Sequence, residues 1–551
     1  TSSDGLFKVN VPGFMIEMPG GDHGKDYLYA DMANGAYYTI SRLNLYNFVD
    51  NKTQETIELG LDSAFNLSIP GEILSKERTT RFGYPCYDIK NKTATGDYQR
   101  YQVIITPLEL FVFKVGGPGK FVKITKHSDD FFNSIRFIKK PSKGWENFVS
   151  EKSGFSVELP QYHDRKGAEN YGAKSGMYHN LIQAYDGFNK DHFLVMQRAL
   201  HDVNYIEDDS FELRMIVDAF KEEHKYKVTS RELGKLDTGH PWFKAHLSSE
   251  EKGEMDIMCV LKGPQYFVLM SRTENEAARD RFFNSFKVQR SVSSLPIVTV
   301  RDTALLFEVQ TVRQQGTKFR PYILRRSKGR YSYRKTKKYE ASSKDHDFFN
   351  IQTAEVIDLG HYKYHDYYEL EADKEYWNDV QDGLIDDDYQ GLAVEKFETV
   401  DEEGYKVVTF DVSDSSSHRK IYGMFLWKGG VVYTAKTCYD GLLGLSDFQK
   451  QFFETFKPFA DTSAGVDVFS DKGDYMLGKL NSKDSTDRKA AFASLYRYSY
   501  FKDDQAERMI KFIDSYDFDE DEDHKKYQAE IMEELGYLKD RADYIIPYCI
   551  D

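Results

Sequence analysis

The residues best suited to chemistry in this 551-residue chain sit in one basic stretch. From Arg313 to Lys338 there are eleven Lys or Arg and no acid, and Tyr322, Tyr331 and Tyr333 are interleaved, with Tyr339 just beyond. Guanidinium, ammonium and phenol groups at this density suit phosphate, anionic lipid, an anionic or sugar-like small ligand, or an acidic protein face. Arg320, Arg325, Arg326, Lys328, Arg330, Tyr331, Tyr333, Arg334 and Lys335 form the candidate contact surface. A solvated edge hairpin turning at Ser327-Lys328-Gly329 would have the same composition. Its charges would guard the edge against aggregation and be balanced by the acidic stretch Glu369 to Asp388. The net charge of −15 argues against nucleic acid as the partner.

Other constellations fail on spacing. Asp517, Asp519, Asp521 and Asp523, with Glu520 and Glu522, mimic a calcium loop, but the sixth and twelfth positions hold Glu522 and Gln528 where glycine and glutamate are needed. Gly116-Gly117-Pro118-Gly119-Lys120 lacks the glycine spacing and the Ser/Thr of a phosphate-binding loop. His361 and His365 are four apart, but Tyr362 and Tyr364 suggest a strand, on which the two rings would not converge. No nucleophile elbow or HExxH is present. The expectation is therefore no catalytic residue, no metal ligand set and no cofactor. Cys86, Cys259, Cys438 and Cys549 read as small buried hydrophobes. Three glycosylation sequons, at Asn51, Asn66 and Asn91, are unremarkable in a chain of this composition.

The elements that must position these residues are announced by a repeat. Phe131-Phe132-Asn133-Ser134-Ile135, Phe282-Phe283-Asn284-Ser285-Phe286 and Phe452-Phe453-Glu454-Thr455-Phe456 each close a segment of similar length. Gly13-Phe14-Met15-Ile16-Glu17-Met18-Pro19 matches Gly154-Phe155-Ser156-Val157-Glu158-Leu159-Pro160, both alternating apolar and polar up to a proline as opening strands. In the third copy, Leu305 to Val309 takes this place without the proline. A second strand follows at Tyr37 to Ile40, Phe193 to Met196 and Phe348 to Ile351, then a helix. In copy two, Asp208 or Ser210 caps that helix, with Phe211, Met215, Ile216 and Phe220 on one face; in copy three Tyr376, Trp377, Val380 and Leu384 serve. Turns at Gly83-Tyr84-Pro85, Gly239-His240-Pro241 and Gly404-Tyr405 feed the next strands. Tight hairpins at Thr106-Pro107, Lys262-Gly263-Pro264 and Lys428-Gly429-Gly430 lead to apolar return strands. The double phenylalanine then lies on a closing helix, with its rings in the core.

The predicted fold class is α+β: three tandem antiparallel-sheet domains with flanking helices, at 1–140, 141–292 and 293–461, the last carrying the basic insertion. The G-F-x-[IV]-E-[LM]-P strand, the G-x-P-x-aromatic turn and the FFNSF helix resemble the PsbP-like domains, a class that includes an extrinsic photosystem subunit. That resemblance spans residues 6 to 459 three times over. It implies an antiparallel sheet of six or seven strands with helices on both faces, and a docking role rather than catalysis.

Beyond a polar joint at Asp461 to Gly465, residues 462–551 read as an all-α, helical-repeat-like segment with helices at 474–480, 485–500, 505–515 and 523–538, similar to the start of a HEAT-type or TPR-type array. Its apolar end at Tyr544 to Tyr548 fits a piece of a longer array. The start at Thr1 rather than Met leads to the expectation of an exported protein, periplasmic or outer-membrane-associated, with a lipoprotein lacking its acylated N-terminus as one form and a cytoplasmic location as the alternative. The function expected is a non-catalytic scaffold subunit of a bacterial cell-envelope assembly that docks protein partners. A binding module for a small anionic ligand near the basic hairpin is the alternative.

Overall fold

The computed structural model describes the chain through Ile546, apart from 313–338, 342–347, 371–391 and shorter stretches at 4, 21–23, 44–47, 52–53, 119–125, 141–143, 168–177, 201–205, 304, 351–352, 354, 365, 403–404, 460–464, 496–500, 516–521 and 539–545. It is an α+β structure built on three large antiparallel sheets.

One strand order recurs. In the second sheet it runs His163–Gly167, Tyr178–Asp186, Asp191–Ala199, Gln265–Arg272, Gly253–Lys262, Pro241–Ser249, Lys227–Lys235. The third strand is thus followed by a helix, Asp209–His224, that carries the chain to the far edge, from which four strands meander back. The first sheet does the same through the helix Gln54–Ser68, between Ala36–Leu43 and Glu72–Arg81. In the third sheet Glu355–Lys363 holds the corresponding place beside Val431–Asp440. Each far-edge strand carries a bulge at a matching position, after Ile73, Val228 and Val394, which twists an edge that would otherwise offer itself for pairing.

Period-two alternation gives each of the three large sheets two buried faces. Along Gln265–Arg272, Phe267 and Leu269 pack with Phe282 and Phe283 of the closing helix Glu276–Asn284, while Val268 and Met270 pack with Leu213 and Val217 of the crossover helix. Asp208 caps that crossover helix, its carboxylate accepting the Phe211 N–H at 2.7 Å. The buried stripe is Leu213, Ile216, Val217 and Phe220; Phe211 and Met215, expected on it, face outward because they lie on the opposite side of a 3.6-residue turn. The corresponding helix expected around Trp377 in the third copy lies outside the described residues.

Two expected equivalences are corrected. Phe155–Pro160 pairs with the two-residue exit strand Lys287–Val288, and Phe307–Val312 pairs with Lys457–Pro458. In the first copy the exit strand Arg136–Phe137 pairs with Phe7–Lys8, so the true counterpart of Phe155-Ser156-Val157-Glu158-Leu159-Pro160 is Phe7-Lys8-Val9-Asn10-Val11-Pro12. Gly13 to Pro19 instead supplies the first strand of the large sheet, with Phe14 85% and Ile16 58% exposed. Both segments alternate and end in proline, and only burial separates them. Similarly, Phe348–Asn350 is a short strand paired outside Glu355–Lys363, and is not the counterpart of Ala36–Leu43. Its aromatic pair misled because Phe348 does enter the core, against Phe307 and Phe452.

The Ser/Thr that follows the double phenylalanine closes each copy. Ser134, Ser285 and Thr455 accept the backbone N–H of Asn10, Glu158 and Gln310 at 2.8, 2.8 and 2.9 Å. Each hydroxyl donates in turn to a carbonyl of its own helix, at Phe131, Phe282 and Gln451. The opening strand is thereby clasped to the closing helix three times over.

Neighbouring copies are joined by a forward arm, the segment between the third strand and the crossover helix. Phe48 from the first copy is buried in the core of the second sheet, and Ile206 from the second copy in that of the third. The same segment of the third copy sends Tyr367 into the apolar cluster of the C-terminal helices. Those helices are Gly473–Leu480, Ser485–Phe492, Ala506–Ser515 and Glu522–Tyr537; the polar joint before them is largely outside the described residues.

Candidate functional site at the junction of the second and third sheets

The nine residues Arg320 to Lys335 proposed as a contact surface all lie outside the described residues, as does His365. His361 is on the strand Glu355–Lys363, edge-on to the ring of Tyr433 at 5.0 Å. Gly116 and Gly117 end a strand where a Cβ would strike Tyr37 or approach the backbone of Gly35 and Ala36; packing, rather than phosphate, accounts for them. Asn91 is wholly buried, donating to the Pro70 carbonyl, so that sequon is closed. Cys86, Cys259 and Cys438 are buried free thiols, and burial pushes the first two up to about 12.

A cluster of buried polar side chains lies where the forward arm of the second copy meets the third sheet. Asp209 opens the crossover helix, Thr238 and His240 sit in the turn before Pro241–Ser249, and Lys262 and Gly263 form the next hairpin turn. Facing them are Ser417, His418 and Arg419 from the turn entering Arg419–Lys428, and Asp440 at the end of Val431–Asp440. Glycine is required at 263: its φ is +51°, and a Cβ there would come within 2.9 Å of the Asp440 backbone nitrogen.

His240 is 0% exposed and its Nε2 lies 2.9 Å from Asp440 Oδ2. A carboxylate only accepts, so Nε2 carries a proton, and in the neutral ring Nδ1 accepts from the Thr238 hydroxyl at 2.8 Å. His418 has the other tautomer. Its Nε2 accepts the Gly263 N–H at 3.1 Å, so Nδ1–H donates to Asp209 Oδ2 at 2.7 Å. The two rings meet edge to face at 5.5 Å. Asp209 also accepts from the His418 backbone and the Ser417 hydroxyl, while Arg419 donates to the Glu207 carbonyl. Burial disfavours the charged form of both aspartates, but hydrogen bonds from the histidines outweigh it and hold both carboxyls below the usual range. The second lone-pair set of Asp440 is also used, Oδ1 accepting the N–H of Leu442 and Leu443.

A small cleft of about 30 Å³ opens beside Asp440, lined by Lys262, Glu355, Ser446 and Gln449 among others. This volume holds one or two waters. The Lys262 ammonium donates to the Ser153 and Gly154 carbonyls and to Ser291 Oγ, and burial pulls it down to about 8 against the opposing pull of Glu355 and Asp440. Glu355 accepts from the Ser446 hydroxyl at 2.7 Å, and burial raises its carboxyl.

Sequence reading missed this cluster because its members are far apart: His240 and Asp440 are separated by 200 positions, Asp209 and His418 by 209. The turns carrying His240 and Gly263 were legible as turns. Their meeting with Asp440 was not.

No protein-family model and no curated protein sequence matches the chain. Among solved structures it is similar to cyanobacterial PsbP (CyanoP) from Synechocystis sp. PCC 6803, with 10% identity, 27% of this chain and 94% of that one covered, and a TM-score of 0.22. It is similar also to the T6SS immunity protein TplEi from Pseudomonas aeruginosa, with 10% identity, coverage of 50% and 98%, and a TM-score of 0.16. A third likeness is to MucB in complex with MucA(peri), with 10% identity, coverage of 52% and 92%, and a TM-score of 0.11. Scores this low carry no functional argument.

Proposed function

We propose that this protein is a non-catalytic interaction subunit in which three PsbP-like domains and a helical-repeat-like segment form one platform for protein partners in a bacterial cell-envelope assembly. The observation that carries this reading is where the buried polar chemistry is used. Asp209, His240, His418, Asp440 and Lys262 bond across copies or to backbone, and the cleft beside them is too small for a sugar or nucleotide. The polar groups hold neighbouring sheets in register, leaving the outer surfaces for recognition. An exported location is part of the proposal. No described helix is long and apolar enough to cross a membrane.

The test is cross-linking and affinity capture with the tagged full chain in membranes of the producing cell. A discrete partner captured by the wild type, and lost on charge reversal of Arg325, Arg326, Arg334 and Lys335, supports it. A monomer with no partner in either the membrane or soluble fraction overturns it.

A second reading, a binding module for a small anionic or sugar-like ligand, is favoured by the acid-free run of basic and tyrosine residues from Arg313 to Lys338. There the same charge reversal abolishes binding of the small anion itself, with the melting temperature unchanged.

A further inference from the structure

We infer that His240, His418 and Asp440 form a transition-metal site of the zinc class that bridges the second and third sheets. Their donor atoms, two imidazole nitrogens and one carboxylate oxygen, all lie within 4.8 Å of one another, and His418 Nε2 is 3.9 Å from Asp440 Oδ2. Two ligands about 2.1 Å from a tetrahedral ion stand about 3.4 Å apart, so the observed 2.9 and 3.9 Å, with the third separation within 4.8 Å, require side-chain shifts on the order of an ångström.

Three further features separate this cluster from a chance contact. Each imidazole is oriented through its other nitrogen, His418 by the Asp209 carboxylate and His240 by the Thr238 hydroxyl, the arrangement that fixes metal-binding histidines. His418 already carries its proton on Nδ1, and an ion at its Nε2 would take the place of the Gly263 N–H that this atom now accepts at 3.1 Å. His240 reaches the same tautomer by moving its proton from Nε2 to Nδ1, where the Thr238 hydroxyl can accept as readily as it now donates. The cluster is also buried and anchored from both copies, so an ion would cross-link elements separated by two hundred positions. The cleft lined by Lys262 and Glu355 reaches Asp440 and has room for one or two waters beside that carboxylate. Two nitrogens and one oxygen, with no sulfur among the three donors, select zinc or a neighbouring divalent ion over copper(I) or calcium.

The experiment uses the full chain, stripped with chelator and titrated with zinc chloride by calorimetry, then crystallised with zinc and measured at the zinc absorption edge. The expected result is one saturable equivalent and an anomalous peak about 2.1 Å from His240 Nε2, His418 Nε2 and an Asp440 oxygen. His418→Gln should abolish that equivalent. Asp209→Asn, which leaves all three ligands in place, should weaken it about 10- to 100-fold. His246→Gln, at a partly exposed histidine beside Asp256, should leave it intact. Should His418→Gln fail to fold, the wild-type anomalous map alone decides. No saturable equivalent, or a peak elsewhere with none at this cluster, overturns the assignment.

Discussion

Asp440 accepts the Nε2–H of His240 at 2.9 Å, so a strand end of the third sheet is pinned to a turn of the second by a buried pair. Replacing Asp440 by alanine leaves the imidazole buried without its partner. In the presence of chelator this should cost about 2–4 kcal/mol at the junction. Calorimetry should then resolve the third sheet as a separate, earlier transition, whereas a single unshifted transition would show the pair to be idle.

The clasp between opening strand and closing helix predicts a recurrent effect. Ser285→Ala removes the acceptor for the Glu158 N–H and should lower stability by about 1 kcal/mol, with Ser134→Ala and Thr455→Val behaving alike. Exchanging Asn284, one residue earlier, for Glu as in the third copy should change the urea midpoint little. Equal effects at 284 and 285 would remove the clasp from the account.

Gly263 and Gly96 both have positive φ, but they differ in surroundings. At Gly96 a Cβ meets open space, and alanine should cost about 1 kcal/mol from backbone strain alone. At Gly263 the methyl would also press on the Asp440 backbone, so alanine there should cost clearly more. Thermal unfolding of the two variants checks the ordering, which fails if Gly96→Ala is the worse.

Lys262 predicts an alkaline signature. Its folded-state value of about 8 lies below the ordinary lysine value near 10.4, so between these limits the unfolded chain binds more protons than the folded one. Stability from this group therefore rises with pH across that window and is lowest below it. Lys262→Met lacks this dependence. Relative to the variant, the wild type should gain melting temperature from about pH 8 to about pH 10; parallel curves would refute the depressed value.

Part of this molecule could be read from its sequence, because local rules govern that part. The double phenylalanines each precede two polar residues at the end of a short helix, and Phe131, Phe132, Phe282 and Phe452 are core, as expected. The hairpin at Lys262-Gly263-Pro264 follows from turn chemistry. Where two segments obey the same rule, sequence alone does not separate them: Phe7 to Pro12 and Gly13 to Pro19 both alternate, and only tertiary burial assigns the first to the core. The junction site was illegible for a stronger reason. Each of its residues is unexceptional locally, and the cluster comes together only once the forward arm of one copy has docked on the next.

That arm has a consequence for the order of events at the ribosome. Phe48 leaves the exit tunnel long before Met270, part of the sheet core that buries it, has been synthesised, and Ile206 waits likewise for Val432. Each copy therefore completes its own sheet while still exposing one apolar anchor, and that anchor is covered only when the following copy folds. Synthesis from the N-terminus, at about 5–20 residues per second, leaves it bare for on the order of ten seconds or more. A nascent chain stalled between copies should be the form most in need of a chaperone.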